Sequence, residues 1–335
     1  MPICNVPIIN EGLVFPDSAN SLILLILFLY LPLIMKISGF TMVRNAGKLY
    51  YPIRACIESL LPVVDEFIVA LGEGDPDDDT LAQIEAIGSD KVKIYHRIWD
   101  EKLFKDGAIF REETTFALQQ CTGDWCIYLQ ADEVIHEDDL PKIKAACAKY
   151  QNDKEVEGLL IWYHHFFGDY QHEVISHGWC ANEIRVIRNG IGAESYRDAI
   201  SFRINDRKMK VAELDVPIYH YGWVRPPELM TKKRNIQHDM HHGKEGGEAH
   251  YTQDLFQYGP LGRLDKFRGT HPKVMKDWMA KFDWAHQLDY GRKNKNPNRE
   301  LYKHEKPKYR ILNFIERNLN GGKQIFAFNN WKIIR

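Results

Sequence analysis

Apolar residues recur along the chain in two rhythms. The short runs Ile37–Val43, Phe67–Leu71 (FIVAL), Val92–His96 and Trp125–Leu129 predict strands. Between them, Tyr50–Leu61, Thr80–Ile87 and Ala108–Gln120 carry apolar positions at helical spacing. Pro62 stops the first of these helices, and Leu140–Tyr150 begins another with Pro141 in its first turn, where proline is tolerated. Strand and helix alternate, so the expected fold is a layered α/β domain with a mainly parallel central sheet flanked by helices.

After Val156 the grammar changes. Gly158–Phe167, Glu183–Arg188 and Val211–Tyr221 predict strands separated by polar loops, and Pro226–His241 a helix opened by prolines. Helices near Lys273–Trp284 and Lys308–Leu319 would make a helical C-terminal extension. The expected organisation is an apolar N-terminal segment (1–35), two halves of one domain (36–155 and 156–245) and the extension (246–335).

A chain of 335 residues with 44% hydrophobic and 27% charged residues has enough apolar material for a core. Its net charge of -2 gives no reason to expect a nucleic-acid partner. The basic stretch Arg292–Lys308 stands apart, as a solvated linker or as a patch for anionic lipid or an anionic acceptor. The six cysteines form no CxxC pair, as expected of reduced thiols in a cytoplasmic domain. Leu22–Met35 is almost wholly apolar but shorter than the ~20 residues of a spanning helix. Either it associates with a membrane, with Lys36 and Arg44 keeping the domain on the cytoplasmic face, or translation starts at Met35.

In an open α/β sheet, ligands bind beyond the carboxyl ends of the strands. Three loops there are polar: VRNAGK after the first strand, GEGDPDDDT after the second and QADEVIHEDD after the fourth. None is a GxGxxG or GxxxxGK[ST] phosphate loop. Asp132, delivered by a strand end, suits a hard divalent cation; a cap or turn is the plain alternative. The loop holding Asp75, Asp77, Asp78 and Asp79 suits a nucleoside, or is a solvated turn with Asp79 as helix cap. His220 ends an apolar strand and can be structural; Arg225, Lys232 and Lys233 suit a leaving diphosphate or a solvated face. Asp198 is a candidate general base or a turn residue. His238, His241, His242 and His250 invite zinc, against the alternative of a Gly-rich mobile loop.

Together the segments SGFTMVRNAGKLYYPIRACIESLLPVVDEFIVALG, GDPDDDT, GDWCIYLQADEVIHEDDLP and IYHYGWVRPPELM resemble glycosyltransferase family 2 of GT-A fold, over Lys36 to about residue 245. Similar bacterial members carry QxDEVIHE and HYGWVRPP segments. The family's Asp-x-Asp is here Gln130-Ala131-Asp132, lacking the first Asp. The resemblance implies an inverting hexosyltransferase-like enzyme acting in surface glycan synthesis. Its 36–155 half would bind the nucleotide-sugar donor, with a UDP-sugar first among donors. Its 156–245 half would face a glycan or lipid-linked acceptor.

By position, Asp132 and His220 would hold Mn²⁺ or Mg²⁺. Arg44, Asn45, Asp75, Asp79, Gln130 and Arg225 would hold the donor. Asp198, or alternatively Glu183 or Glu194, would be the base. The enzyme would be cytoplasmic, with peripheral attachment at the inner face of the membrane as an added possibility. A nucleotidyltransferase, or a non-catalytic sugar- or partner-binding module on the same scaffold, are the rival readings. A Gly-rich loop after the first strand would mark the former, and VRNAGK has a single Gly.

Overall fold

The computed structural model describes residues 35–335, and Lys36–Arg335 form one compact unit. The apolar stretch from Leu22 to Ile34 lies outside the described residues. Among the described residues, no helix is long and apolar enough to cross a membrane.

The first half alternates as its periodicity predicts: β1 (Ile37–Val43), α1 (Ile53–Leu60), β2 (Glu66–Gly72), α2 (Thr80–Glu85), β3 (Val92–Arg97), α3 (Ala108–Gln119), β4 (Trp125–Tyr128), β5 (Glu133–Ile135) and α4 (Leu140–Tyr150). Next come β6 (Gly158–Phe167), β7 (His172–Glu173), β8 (Asn182–Arg188), β9 (Ala193–Tyr196), β10 (Ser201–Ile204) and β11 (Arg207–Trp223). Helices α5 (Pro227–His242), α6 (Lys244–Glu248) and α7 (Lys276–Met279), strand β12 (Asp265–Lys266), helix α8 (Pro307–Leu319) and strand β13 (Trp331–Ile333) complete the chain.

The central sheet runs β3-β2-β1-β4-β8-β6-β11-β10-β9. Strands β1 to β4 are mutually parallel, β8 runs antiparallel to both β4 and β6, and β6 and β11 are parallel again. This is a layered α/β fold, its sheet mixed beyond β4. The order reverses at β1, which has β2 on one side and β4 on the other. That reversal opens a crevice at the carboxyl ends of β1 and β4, where the first and third polar loops leave the sheet.

One buried carboxylate ties the parallel strands together. Glu66 accepts from Ser38 Oγ at 2.7 Å, Lys93 Nζ at 2.6 Å and Thr122 N at 2.7 Å, linking β1, β2, β3 and the approach to β4. Burial alone would raise its pKa, but these hydrogen bonds hold it down at about 2. Phe40, Ile68, Ala70 and Tyr128 share a core with Ala117 and Leu118 of α3. Beyond β11, Tyr219 and Tyr221 pack with Phe166, Met275 and Trp284.

The Lys273–Trp284 segment forms only a 3₁₀ turn and the four-residue α7. Its apolar side chains are spent on tertiary contacts: Trp284 is fully buried and donates Nε1–H to the Gly168 carbonyl at 3.0 Å. Strands β9 and β10, which the periodicity does not announce, form a hairpin against the end of β11.

Candidate functional site

The crevice contains a cleft of about 270 Å³ lined by Arg44, Asn45, Tyr51, Trp99, Gln130, Asp132, Asp198, His220, Lys233 and His241 among others. Loops after β1 and β4 form one wall, the end of β11 and α5 another, and the turn after β9 the rim. Six of the ten site residues expected from the sequence therefore meet here: Arg44, Asn45, Gln130, Asp132, Asp198 and His220.

Asp132 is the hub. Residues 133–135 add to β11 antiparallel, with Glu133 opposite His220, and Tyr221 N–H donates to the Asp132 carbonyl at 2.8 Å. The loop is braced beneath by Glu133, fully buried in an ion pair with Arg185 at 2.9 Å and accepting from Tyr163 and from Gln130 N. The Asp132 carboxylate is itself buried. Lys233 Nζ reaches Oδ2 at 3.3 Å, and Arg225 Nη2 stands 3.9 Å from the same oxygen. Burial pushes its pKa up, but Lys233, His220 and Arg225 outweigh it, so the carboxyl lies below its usual range and is ionised.

The tautomer of His220 follows from a chain of contacts. His165 Nε2 lies 2.6 Å from the Cys180 carbonyl, which only accepts, so this nitrogen carries a proton. Burial depresses the His165 pKa to about 3, so the ring is neutral and its Nδ1 is a bare acceptor. His220 Nδ1 sits 2.9 Å from that atom and must donate to it. Burial likewise brings His220 to about 4, leaving its Nε2 as an unprotonated lone pair. That lone pair faces Asp132 Oδ1 at 3.9 Å.

Two acceptors thus confront one another across a gap with no hydrogen bond between them. Gly222 keeps the gap open: a Cβ there would lie 2.4 Å from His220 Nε2 and 2.7 Å from Asp132 Oδ2. A carboxylate and a neutral imidazole converging on such a cradle fit a divalent cation, with the His165–Cys180 relay as the outer support that ligating histidines commonly have.

Arg225 lies behind this centre rather than in the cleft. It is fully buried, donates to the carbonyls of Leu49 and Gly222, and stacks over Tyr51 at 4.7 Å. The Lys233 ammonium is 5.1 Å from the same ring and donates to the Gly222 carbonyl at 2.9 Å. Burial and the Arg225 charge pull its pKa down to about 7.

Asp198 stands exposed on the rim, between Arg197 and Ala199, which both adopt left-handed backbone (φ 55° and 60°). Such strain persists only where surroundings enforce it. Gly107 makes room for this turn, since a Cβ there would come within 2.7 Å of Asp198 Cβ.

The remaining candidates lie outside the cleft. Asp75 braces the loops, accepting from Asn45 Nδ2 at 3.2 Å and Lys48 Nζ at 2.7 Å, and Lys48 holds its pKa down. Asp79 is exposed and accepts from Gln83 at 2.7 Å. It occupies the cap position of α2, yet Asp78 Oδ2 receives the Thr80 N–H at 3.0 Å. Glu183 is buried, takes the Cys180 thiol at 3.0 Å, and leaves Oε2 unpartnered. Glu194 is exposed in β9, opposite Arg203.

The rings of His238, His242 and His250 do gather, with centroids 4.7 to 5.9 Å apart. Their nitrogens do not converge as a three-donor set. Among the described residues such a set exists at His136, Glu137 and Asp138, where His136 Nδ1 already accepts the Asp138 N–H as a cap. Tyr51, Trp99, Gly222 and His165 were not singled out as site residues from the sequence. Only the side chains packed around them in the fold give them meaning.

No protein-family model matches the chain, and no curated protein matches it. Among solved structures, glucosyl-3-phosphoglycerate synthase of Mycobacterium tuberculosis, crystallised with Mn²⁺, UDP and phosphoglyceric acid, is 17% identical over 39% of this chain and 44% of its own (TM-score 0.28). S. aureus TarS is 14% identical over 61% of this chain and 39% of its own (TM-score 0.34). Its 1–349 fragment is 16% identical over 62% and 65% (TM-score 0.32). The chain spans less than half the length of the first two. These similarities are too low to carry an inference of function.

Proposed function

We propose that this protein is a glycosyltransferase that moves a sugar from a nucleotide-sugar donor to an acceptor hydroxyl with inversion, using Mn²⁺ or Mg²⁺. The observation that carries the reading is the pair of facing lone pairs on Asp132 and His220, set in the crevice beside two buried cations. When bound there, the metal supplies Lewis-acid charge to the donor diphosphate.

The chain's own residues do the rest. Gln130 and Asn45 line the donor side and Arg44 closes the cleft from β1, its guanidinium held by the Glu73 carbonyl at 2.7 Å. Arg225 cannot leave its buried seat, so it acts as a fixed positive charge behind the leaving group. Lys233, with one face in the cleft, donates to a diphosphate oxygen. Asp198 takes the proton of the acceptor hydroxyl. The acceptor oxygen then bonds to the anomeric carbon while the bond to the diphosphate breaks, the electron pair leaving on the diphosphate.

Glycan or lipid-linked acceptors, attachment to the inner face of a membrane, and a 36–155 donor half beside a 156–245 acceptor half belong to this same reading. Calorimetry with UDP, GDP and CMP, with and without Mn²⁺, tests it on the wild type and on Asp132→Asn. Metal-dependent binding of one nucleotide, lost in the variant, and slow hydrolysis of the corresponding sugar donor are the expected results. Absence of binding to all three nucleotides would sink the reading in favour of a non-catalytic module.

A further inference from the structure

Helix α8 leaves large apolar side chains uncovered. Its one fully buried residue is polar: Glu316 accepts from the Ile325 N–H at 2.7 Å and contacts His177 Nδ1 at 2.6 Å, while Tyr309, Leu312 and Ile315 are half-buried. The opposite face carries Ile311 and Phe314, which are 62% and 64% exposed, and Leu319 at the helix end is 76% exposed. A spacing of three residues places Ile311 and Phe314 on one crest, with half-buried Ile315 beside them. A helix docked on a globular protein ordinarily turns its apolar stripe to the core. Here Ile311 and Phe314 are turned outward, and Phe326 just beyond the helix is 92% exposed.

The charge around the crest is mostly positive. Residues 303–335 contain eight Lys and Arg and two carboxylates, Glu305 and Glu316. Both carboxylates are buried. Lys308 and Arg310 flank the crest, Lys323 follows it, and none of the three has an acidic partner within ion-pair distance among the described residues.

We propose that the α8 crest is a docking surface for anionic lipid headgroups, the apolar side chains entering the headgroup boundary and the flanking cations meeting lipid phosphate. Large exposed apolar groups among basic residues, with the neighbouring acid Asp265 tied in an ion pair to Arg317, are the composition of an interfacial helix. A second copy of the chain fits worse, because a two-fold contact through the crest would bring the two basic flanks together. This proposal does not rest on the transfer reaction.

The test is co-sedimentation of the full chain with vesicles of phosphatidylcholine, with and without phosphatidylglycerol. The wild type is expected to bind only the anionic vesicles and to be released by salt. Ile311→Ser/Phe314→Ser and Lys308→Glu/Arg310→Glu are each expected to lose about tenfold or more in binding. Both should keep the wild-type melting midpoint, since all four side chains are exposed. Binding without anionic preference, equal binding by the crest variant, or a dimer that dissociates in Ile311→Ser/Phe314→Ser would each overturn the proposal.

Discussion

His220 turns Nε2 toward Oδ1 of Asp132 at 3.9 Å, and neither atom has a proton to offer the other. The carboxylate is held ionised by the cations near its far oxygen, and the imidazole directs its one N–H to His165 Nδ1. A cation satisfies both acceptors at once, and a carboxylate with a neutral imidazole is a donor pair that suits one.

Gly222 is the most direct probe of that gap. Gly222→Ala would place a methyl group within 2.4 Å of His220 Nε2. The expected outcome is a Mn²⁺ affinity reduced roughly tenfold or more, read by calorimetry, in a protein that still folds. Unchanged affinity would show that the metal sits elsewhere.

The relay predicts a remote effect. His165→Phe keeps a ring of similar shape but removes the acceptor for His220 Nδ1–H. Mn²⁺ binding, measured by electron paramagnetic resonance, should weaken about 10–100-fold. Nucleotide binding without metal should stay as it was, because His165 does not line the cleft.

Asp132 can be removed in two ways that differ in stability. The sequence alone suggests a purely local role, so that Asp132→Ala would spare the fold. The structure adds the buried Arg225 and Lys233, which Asp132→Ala leaves uncompensated at a cost on the order of 3 kcal/mol. Asp132→Asn retains an acceptor for Lys233 and should lose less. Urea denaturation of the two variants checks the order, and equal stabilities would contradict it.

Glu183 makes stability depend on pH. Burial raises its carboxyl to about 7, against the opposing influence of the Cys180 thiol and Arg185, with Glu133 adding to the rise. The folded state therefore binds this proton more tightly than the unfolded chain. The stabilisation is full below the ordinary carboxyl range near 4.5 and is lost as pH rises through 7. Glu183→Gln should be more stable than the wild type at about pH 8, by on the order of 3 kcal/mol at most, and gain nothing near pH 4. Equal stabilities at both would refute the shift.

Elements governed by local rules were legible without any coordinates. β1, β6 and α4 have the limits that apolar runs and a first-turn proline suggest, because strand and helix periodicity is set by residues two to four positions apart. Asp132 and His220 stood out for the same reason, as polar groups at strand ends.

What the tertiary structure decided depends on distant partners. Asp78 rather than Asp79 caps α2, because the loop is pinned by Lys48 and Asn45. β11 runs from Arg207 to Trp223, longer than its apolar run, because β6, β10 and β13 pair with its ends. The role of His165 exists only because β6 lies beside β11 and the Cys180 carbonyl lies within reach. Glu183 looks like any strand carboxylate until burial shifts its proton equilibrium. A linear pattern records the chemistry each residue can offer; which proton, charge or gap it finally faces is set by the packing of segments far apart in the chain.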